Sequence, residues 1–313
     1  KKPHLYSYIE SIFEAMINEK KDQVVNLLGH IGSGKTFNLI HILEYLCFFH
    51  APEKKQIEFF DTIHKSIQLV HILGSIFRRN NIESSSCGMQ IRIGFDENNK
   101  ICNFDLKASI LDLTLPFSEN GRSFSILHSI ITSASSDLKN FLELPEREIS
   151  LNFFKKFSHH FDKETKDRFM LNDYEIWNRF HSLLNTFEFD KSEIIEILQL
   201  FSFILLCNEA SIGKKRSKHG ESYTINKNPA SRKLAKNFGM TEDDFIKFFG
   251  VHKDLEQTKS YLICLMRYTY NCIFEFIMEK VNLYLKEFFA PFIPKKPAKM
   301  HQFNDSFNVN AQK

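Results

Sequence analysis

The sequence predicts an α/β fold, with a partial β-sheet in residues 1–107 and a mostly helical region in residues 108–290. The first observation behind this prediction is an apolar run at residues 24–28, which leads directly into a glycine-rich loop at residues 29–36. The second is that strand-like alternation almost vanishes in the later region, where apolar residues recur at helical spacing. The final segment, residues 291–313, has no periodicity and is predicted to be flexible.

In the first region, helical spacing predicts helices over about the first twenty residues, over residues 35–50 and from about residue 57 to 79. The apolar run before the glycine-rich loop is predicted to be a short buried strand. Two runs with alternating apolar residues, 89–95 and 101–106, flank turn-forming residues and predict a β-hairpin. We expect these strands to belong to the sheet that carries the loop.

In the second region, the same spacing predicts helices at about residues 122–135, 173–186, 191–207, 229–238, 241–249 and 255–288. Much of the high phenylalanine content, 33 residues, falls at core positions of these helices and indicates packing. A glycine-flanked basic cluster lies between two of the helices and is predicted to be a solvated loop. It comprises Lys214, Lys215, Arg216, Lys218 and His219.

The composition excludes several classes of protein. The 41 basic and 38 acidic residues are too evenly balanced for a nucleic-acid binder. The six cysteines form no C-x-x-C pair, which fits neither a disulfide framework nor a zinc site and favours a cytoplasmic location. No apolar run approaches the ~18 residues of a membrane span. We expect the sequence to be a fragment or an excised domain, because it opens at Lys1 within a helical pattern and without an initiator methionine.

The glycine-rich loop satisfies the phosphate-binding pattern G-x-x-x-x-G-K-[ST] in full. Its residues are Gly29, His30, Ile31, Gly32, Ser33, Gly34, Lys35 and Thr36. In such a loop the glycines let successive backbone N–H groups surround a β-phosphate at the N-terminus of the next helix. Lys35 is expected to neutralise β- and γ-phosphate charge, and the Thr36 hydroxyl to bind Mg²⁺. A chance glycine-rich turn is the alternative, which the predicted strand before the loop and helix after it disfavour.

Segments on both sides of the loop are also distinctive. Residues 2–5 open the first helix with Lys-Pro-His-Leu, residues 20–23 are Lys-Lys-Asp-Gln, and Asn38 follows the loop. This arrangement resembles the myosin head, which shows P-H-[IV]-F, K-N-Q and then an Asn at the corresponding places. Residues 30–31 depart from the Glu and Ser of the family's loop, at positions that vary among phosphate loops. The resemblance implies a P-loop NTPase-type partial sheet.

A second match runs without gaps over residues 74–90. The family's switch I motif, N-x-N-S-S-R, falls there on Asn81, Ile82, Glu83, Ser84, Ser85 and Ser86. Residues 122–128, 194–208 and 270–282 also resemble segments of the myosin head. The similarity therefore extends over nearly the whole chain to about residue 288.

The resemblance implies an actin-based motor ATPase that binds ATP and Mg²⁺. It gives Asn81 a phosphate contact, Ser84 a role in positioning the attacking water, and Ser85 a place beside Thr36 in the Mg²⁺ shell. Lys35 and Ser84 are the implied catalytic residues. It further implies an actin filament as partner, the remaining head segments or light chains as further partners, and a cytoplasmic, cytoskeleton-associated location. The basic cluster would lie where the family carries a surface loop near actin.

The departures from the family pattern are also specific. Ser86 replaces the arginine that pairs with a switch II glutamate, and Glu83 replaces the second asparagine of switch I. No switch II motif D-[IL]-x-G-F-E follows the helix that ends near Leu285, and the relay helix, converter and lever arm are not found. Two hypotheses therefore stay open, a divergent motor ATPase seen as a fragment and a non-motor pseudo-myosin that serves as a nucleotide-, actin- or cargo-binding scaffold. An unrelated P-loop NTPase is the third alternative.

Overall fold

A computed structural model describes residues 4–294 except residues 31, 79–80, 112, 114–123, 145–162 and 218–219. Its helices in the described part are α1 (Leu5–Glu19), α2 (Lys35–His50), α3 (Gln56–Gly74), α4 (Ser125–Ser133), α5 (Ser136–Phe141), α6 (Lys163–Thr186), α7 (Lys191–Cys207), α8 (Pro229–Asn237), α9 (Glu242–Phe249) and α10 (Leu255–Phe289). The helices predicted from apolar spacing are confirmed, with one exception at the end of α3.

The predicted helix from residue 57 to 79 is too long. Helix α3 ends at Gly74, and the next four residues form strand β1 (Ser75–Arg78). A Cβ atom at Gly74 would lie 2.1 Å from Cys87 Sγ, so any larger residue there would have to displace the Cys87 side chain. The helix therefore ends at a residue that packs closely against Cys87, the first residue of another strand.

The strands form three separate antiparallel pairs in the described part of the chain. Strand β1 pairs with β2 (Asn81–Ser85), and β3 (Cys87–Phe95) pairs with β4 (Ile101–Ile110). The third pair is β5 (Ile212–Ser217) with β6 (Gly220–Ile225). The β3–β4 pair confirms the predicted hairpin, with Ile91 opposite Leu106 and Ile93 opposite Phe104.

Two strand predictions are wrong. Residues 24–28 form no strand, and the β3–β4 hairpin does not join a sheet that carries the loop. Val24 is 82% exposed and Leu28 is 90% exposed, whereas a buried strand was expected. A strand needs a neighbour for its backbone N–H and C=O groups, and no described strand is paired with this run. The parallel sheet of a P-loop NTPase-type fold is therefore absent from the described residues.

The basic cluster is also not a plain loop. Lys214, Lys215 and Arg216 lie within β5, opposite Tyr223, Ser222 and Glu221 of β6, respectively. Lys214 Nζ forms a 2.6 Å ion pair with Glu221. Lys218 and His219 lie outside the described residues. The backbone pairing of these residues with β6 places the basic residues on a β-hairpin.

Helix α10 is the central element of the core. It packs against α3, α7 and β4, and one side of it is buried along its whole length. The fully or nearly fully buried residues of its C-terminal half are Tyr270, Ile273, Phe274, Ile277, Val281, Leu285 and Phe289. Burying one side chain of this size contributes roughly 1.5–3 kcal/mol.

After α10, residues Ala290–Phe292 form a 3₁₀ turn, and the Phe292 ring packs 4.9 Å from that of Phe59. The remainder of the predicted flexible tail, from residue 295, lies outside the described residues.

The N-terminus of α7 is held by a capping box. Asp190 Oδ1 accepts hydrogen bonds from the backbone N–H groups of Ser192 (2.8 Å) and Glu193 (2.9 Å). The Glu193 carboxylate in turn accepts one from the Asp190 N–H (2.8 Å). Hydrogen bonds to its side chain lower the pKa of Asp190. The bond from the Glu193 backbone N–H has the largest effect, and the bond from the Ser192 hydroxyl has the second largest.

This cap predicts a pH-dependent contribution to stability. Because the folded pKa of Asp190 is lowered, its contribution is present above the ordinary value of about 3.9 and is lost as the pH falls through the lowered value. We expect Asp190→Ala to reduce the melting temperature at neutral pH and to reduce it progressively less below a pH of about 4. Thermal unfolding followed by circular dichroism checks this, with Glu14→Ala as the control. A difference that does not change with pH would contradict it.

Candidate functional site

At two positions of the glycine-rich loop, the backbone has a conformation that only glycine adopts readily. Gly32 has φ 79° and Gly34 has φ 82°, both in the left-handed region. A Cβ atom at Gly29 would lie 2.5 Å from Ser33 Oγ, so a larger residue there would have to displace the Ser33 side chain. The Ser33 N–H donates to the His30 carbonyl (3.2 Å) and closes a turn. The pattern of glycines therefore matches a real requirement of the loop, although Ile31 lies outside the described residues.

Lys35 folds back over the loop that precedes it. Its Nζ donates hydrogen bonds to the carbonyl oxygens of Gly29 and His30, both at 2.8 Å. The ammonium group thus lies against the loop backbone, where it both fixes the loop and supplies positive charge.

The N-terminus of α2 offers its backbone N–H groups without a competing anion from its own first turn. Gly34 is the N-cap and contributes no capping side chain, and the first turn holds no acidic residue. Helices α7, α9 and α10 differ, because Asp190, Thr241 and Asp254 cap them through side-chain oxygens. The uncapped N–H groups and the helix dipole favour a bound anion. Thr36 lies in this first turn.

The serines assigned to the Mg²⁺ and water positions lie in β2. Ser85 is half-buried, and its Oγ accepts a 3.3 Å hydrogen bond from the Cys87 N–H, which leaves one lone pair for another contact. Ser84 is only 1% exposed, and its Oγ has no hydrogen-bond partner among the described residues. A buried hydroxyl without a partner costs about 1–3 kcal/mol. The Asn81 side chain lies outside the part that the structure describes.

Ser86 holds the backbone where the family has an arginine. Its N–H donates to the Gly74 carbonyl and its carbonyl accepts from the Leu111 N–H, both at 2.8 Å. Its side chain is 5% exposed. A buried hydroxyl at this position cannot form the ion pair that an arginine would, which agrees with the departure noted in the sequence.

The predicted site residues therefore form two groups. Gly29, Lys35 and Thr36 belong to the loop and the start of α2, whereas Ser84 and Ser85 belong to β2. No hydrogen bond joins the two groups among the residues that the structure describes. The connection runs through the packing of α2 on α3, because α3 continues into β1 and β1 pairs with β2. The loop and the serines are thus placed by a shared framework.

Sequence reasoning missed two features next to β1. The Tyr270 hydroxyl donates a 2.5 Å hydrogen bond to the Leu73 carbonyl at the end of α3. A small cavity of about 40 Å³ also lies between α3 and α6, away from the phosphate loop. Its polar lining residues are His71, Ser75, Asn172, Glu175 and Arg179. No sequence motif marks either feature, because both join segments that are far apart in the chain.

The acidic, histidine and cysteine residues and the helix lengths bear on the kind of site. Within the described ranges, no group of three or more His, Cys, Asp or Glu residues is arranged to hold a metal ion. Mg²⁺ would instead be held by hydroxyl and phosphate oxygens, which is a donor set that this cation prefers. None of the described helices is long and apolar enough to cross a membrane.

Comparisons with known proteins agree with the resemblance. A family model described as myosin head (motor domain) matches residues 1–291. Myosin-1 of Saccharomyces cerevisiae is 26% identical over 306 residues, which cover 90% of this chain and 15% of the relative. Myosin-14 of Homo sapiens is 24% identical over 308 residues, which cover 90% of this chain and 14% of the relative. The chain therefore spans only a small part of the length of these relatives.

Proposed function

The chain belongs to the myosin head family, and from this premise we propose that it is an ATP-binding motor-domain fragment with Mg²⁺ as the metal. The observation that carries the proposal is the loop itself, with Lys35 folded over it by two 2.8 Å hydrogen bonds at the uncapped N-terminus of α2. Together these features offer backbone N–H groups, a helix dipole and an ammonium group to a phosphate chain.

Each proposed contact follows from the chemistry of the side chain. Lys35 binds the β- and γ-phosphates, and Asn81 contacts phosphate from β2. The hydroxyls of Thr36 and Ser85 complete the Mg²⁺ shell, because hard cations prefer oxygen ligands. When bound, Mg²⁺ bridges phosphate oxygens and neutralises their charge. Ser84 is the proposed water-positioning residue, and its hydroxyl can act only when β2 exposes it, since it is 1% exposed here.

A titration with a fluorescent adenine nucleotide in the presence of Mg²⁺ tests this proposal. Saturable binding that unlabelled ATP competes away is the expected result. A folded protein that shows no saturable binding at millimolar nucleotide would overturn it.

The second candidate function is a non-motor pseudo-myosin scaffold. Ser86 favours it, because a buried hydroxyl replaces the arginine that closes the family's site. In this case the chain binds nucleotide, actin or cargo without productive hydrolysis. A rate of roughly 1 s⁻¹ or faster in the single-turnover measurement described in the Discussion would exclude it.

We also propose that the chain contacts an actin filament and is located in the cytoplasm with the cytoskeleton. The β5–β6 hairpin is the proposed contact, because its basic residues suit an acidic filament surface. The pairing of Lys214 with Glu221 removes part of that positive charge. Remaining head segments or light chains are further proposed partners.

Replacing Lys214, Lys215, Arg216 and Lys218 by Ala is expected to weaken actin cosedimentation by only a few fold, and only at low salt. Exposed charges are screened over ~10 Å at ~0.1 M salt, so their contribution is small and salt-sensitive. The control replaces Lys20, Lys21, Lys54 and Lys253, which are exposed elsewhere and change the net charge equally. Cosedimentation that is the same for both variants and the unmodified chain would remove the hairpin from the interface.

A further inference from the structure

Tyr270 holds the end of α3 from the middle of α10. Its hydroxyl donates a 2.5 Å hydrogen bond to the Leu73 carbonyl, 197 residues away in sequence. This carbonyl lies in the last turn of α3, where the helix itself provides no hydrogen-bond donor. The Tyr270 ring is 1% exposed and stacks on the Phe124 ring, with centroids 4.0 Å apart and an interplanar angle of 8°. The position of the hydroxyl is therefore fixed by packing on the ring.

The three residues that follow Leu73 each contact β2, which carries Ser84 and Ser85, or the residue directly after it. The Gly74 carbonyl accepts a 2.8 Å hydrogen bond from the Ser86 N–H. Ser75 is paired with Ser85 and Ile76 with Ser84 in the β1–β2 ladder. Ile76 also forms a bridge with Phe124, the residue on which Tyr270 stacks. The end of α3 and the two serines thus belong to one connected unit.

This unit has little room to shift. Gly74 is buried against Cys87, and an added Cβ atom would lie 2.1 Å from Cys87 Sγ and 3.2 Å from Cys87 Cβ. Burial raises the pKa of Tyr270 well above its ordinary value, so the hydroxyl keeps its proton and stays a donor at neutral pH. A shift in the position of the Leu73 carbonyl therefore also shifts β2, because the packed segments between them leave no space for adjustment.

We propose that Tyr270 is a positioning residue for the nucleotide site, which acts through the Leu73 carbonyl to fix where α3 ends and so where β2, the strand paired with β1, presents Ser85. This inference rests on the proposed function, because it concerns the Mg²⁺ contact that Ser85 is proposed to make. Tyr270 itself touches neither nucleotide nor metal. Its effect is confined to the part of the affinity that depends on Mg²⁺.

The test compares Tyr270→Phe with the unmodified chain in nucleotide titrations with Mg²⁺ and with EDTA. The variant keeps the ring and its stacking on Phe124 and loses only the hydroxyl. We expect the Mg²⁺-dependent gain in affinity to fall by ~10-fold or more, as for other residues that orient a metal ligand. The affinity in EDTA, which depends on the phosphate loop, is expected to stay unchanged. Tyr284→Phe, which removes a hydroxyl elsewhere on α10, is the matched control and is expected to change neither affinity.

A comparison with Ser85→Ala shows whether the effect passes through this serine. If Tyr270 acts on Ser85, the double variant is expected to be no weaker than Ser85→Ala alone. An unchanged Mg²⁺-dependent gain in Tyr270→Phe, or equal losses with Mg²⁺ and EDTA, would overturn the inference while the proposed function stands. Absence of nucleotide binding in the unmodified chain would overturn both. A chain that binds nucleotide without any gain from Mg²⁺ would overturn the inference and the metal assignment.

A second set of variants reaches the same junction from the opposite side and does not depend on how well Tyr270→Phe folds. Gly74→Ala is expected to lose the Mg²⁺-dependent gain as well, because its Cβ displaces Cys87 and with it the end of β2. Cys87→Ala removes Sγ and is expected to restore part of the gain in the double variant. Gly74→Ala with an unchanged Mg²⁺-dependent gain would show that the junction does not set the position of Ser85.

Discussion

Replacement of Lys35 by Ala is expected to weaken nucleotide binding by about 100-fold or more. The ammonium group of Lys35 donates to the carbonyls of Gly29 and His30, so it both holds the loop and carries the proposed phosphate contact. Hydrogen bonds to charged groups contribute about 1.5–3 kcal/mol each, and ~1.4 kcal/mol corresponds to a tenfold change in affinity. Loss of two phosphate contacts therefore exceeds the effect of most single substitutions. Titration with a fluorescent adenine nucleotide and Mg²⁺ measures it.

Two controls separate this result from a general loss of structure. Lys253→Ala removes an exposed lysine far along the chain and is expected to keep the original affinity. Circular dichroism is expected to show the same helix content for Lys35→Ala and the unmodified chain, because Lys35 begins α2 and makes its side-chain contacts within the loop. If Lys35→Ala and the unmodified chain bind nucleotide equally, the loop is not a phosphate site.

The glycine-rich loop and the start of α2 could be predicted because their determinants are local. Glycine is needed at positions 32 and 34 for their left-handed backbone, and the helix that starts at Lys35 is marked by its own apolar spacing. The conformation of residues 24–28 could not be predicted in the same way. Their apolar side chains favour a strand, but a strand forms only beside a neighbour, and residues 24–28 have no partner strand within the described chain.

The junction between α3 and β1 illustrates the same limit. Helical spacing continues through residue 79, whereas the structure ends the helix at Gly74, where Cys87 comes within van der Waals distance. The Tyr270 contact that completes this junction joins residues 197 positions apart. Periodicity describes which side of an element is apolar, but it carries no information about which distant residue meets it. The parts of the site that depend on such contacts had to come from the structure.

Hydrolysis of ATP by this chain is expected to be at least about 100-fold slower than the ~1 s⁻¹ typical of phosphoryl-transfer enzymes. Such catalysis depends on positioning the water and on stabilising charge that spreads over the γ-phosphate oxygens. Three features of the chain oppose this. Ser86 is buried and cannot form the ion pair of the family's arginine, and Ser84 is only 1% exposed, so its hydroxyl is not presented to a water. The 313 residues also contain no D-[IL]-x-G-F-E segment to supply the opposite wall of the site.

These deficits affect the transition state more than the bound nucleotide. We therefore expect the chain to bind ATP but to hydrolyse it slowly. Loss of one preorganised electrostatic contact typically costs ~10²–10³ in rate, and here more than one is missing, whereas the loop with Lys35, the proposed phosphate site, is intact. A single-turnover assay with protein in excess over ATP, with and without actin filaments, measures the chemical step directly. Lys35→Ala is the background control, since it removes the proposed nucleotide site. A rate of roughly 1 s⁻¹ or faster that Lys35→Ala abolishes would show that this chain builds a complete catalytic site without the arginine and without switch II. Slow hydrolysis with intact binding, the expected result, fits both a motor-domain fragment without these elements and the scaffold function, in which the head binds nucleotide without converting it into movement.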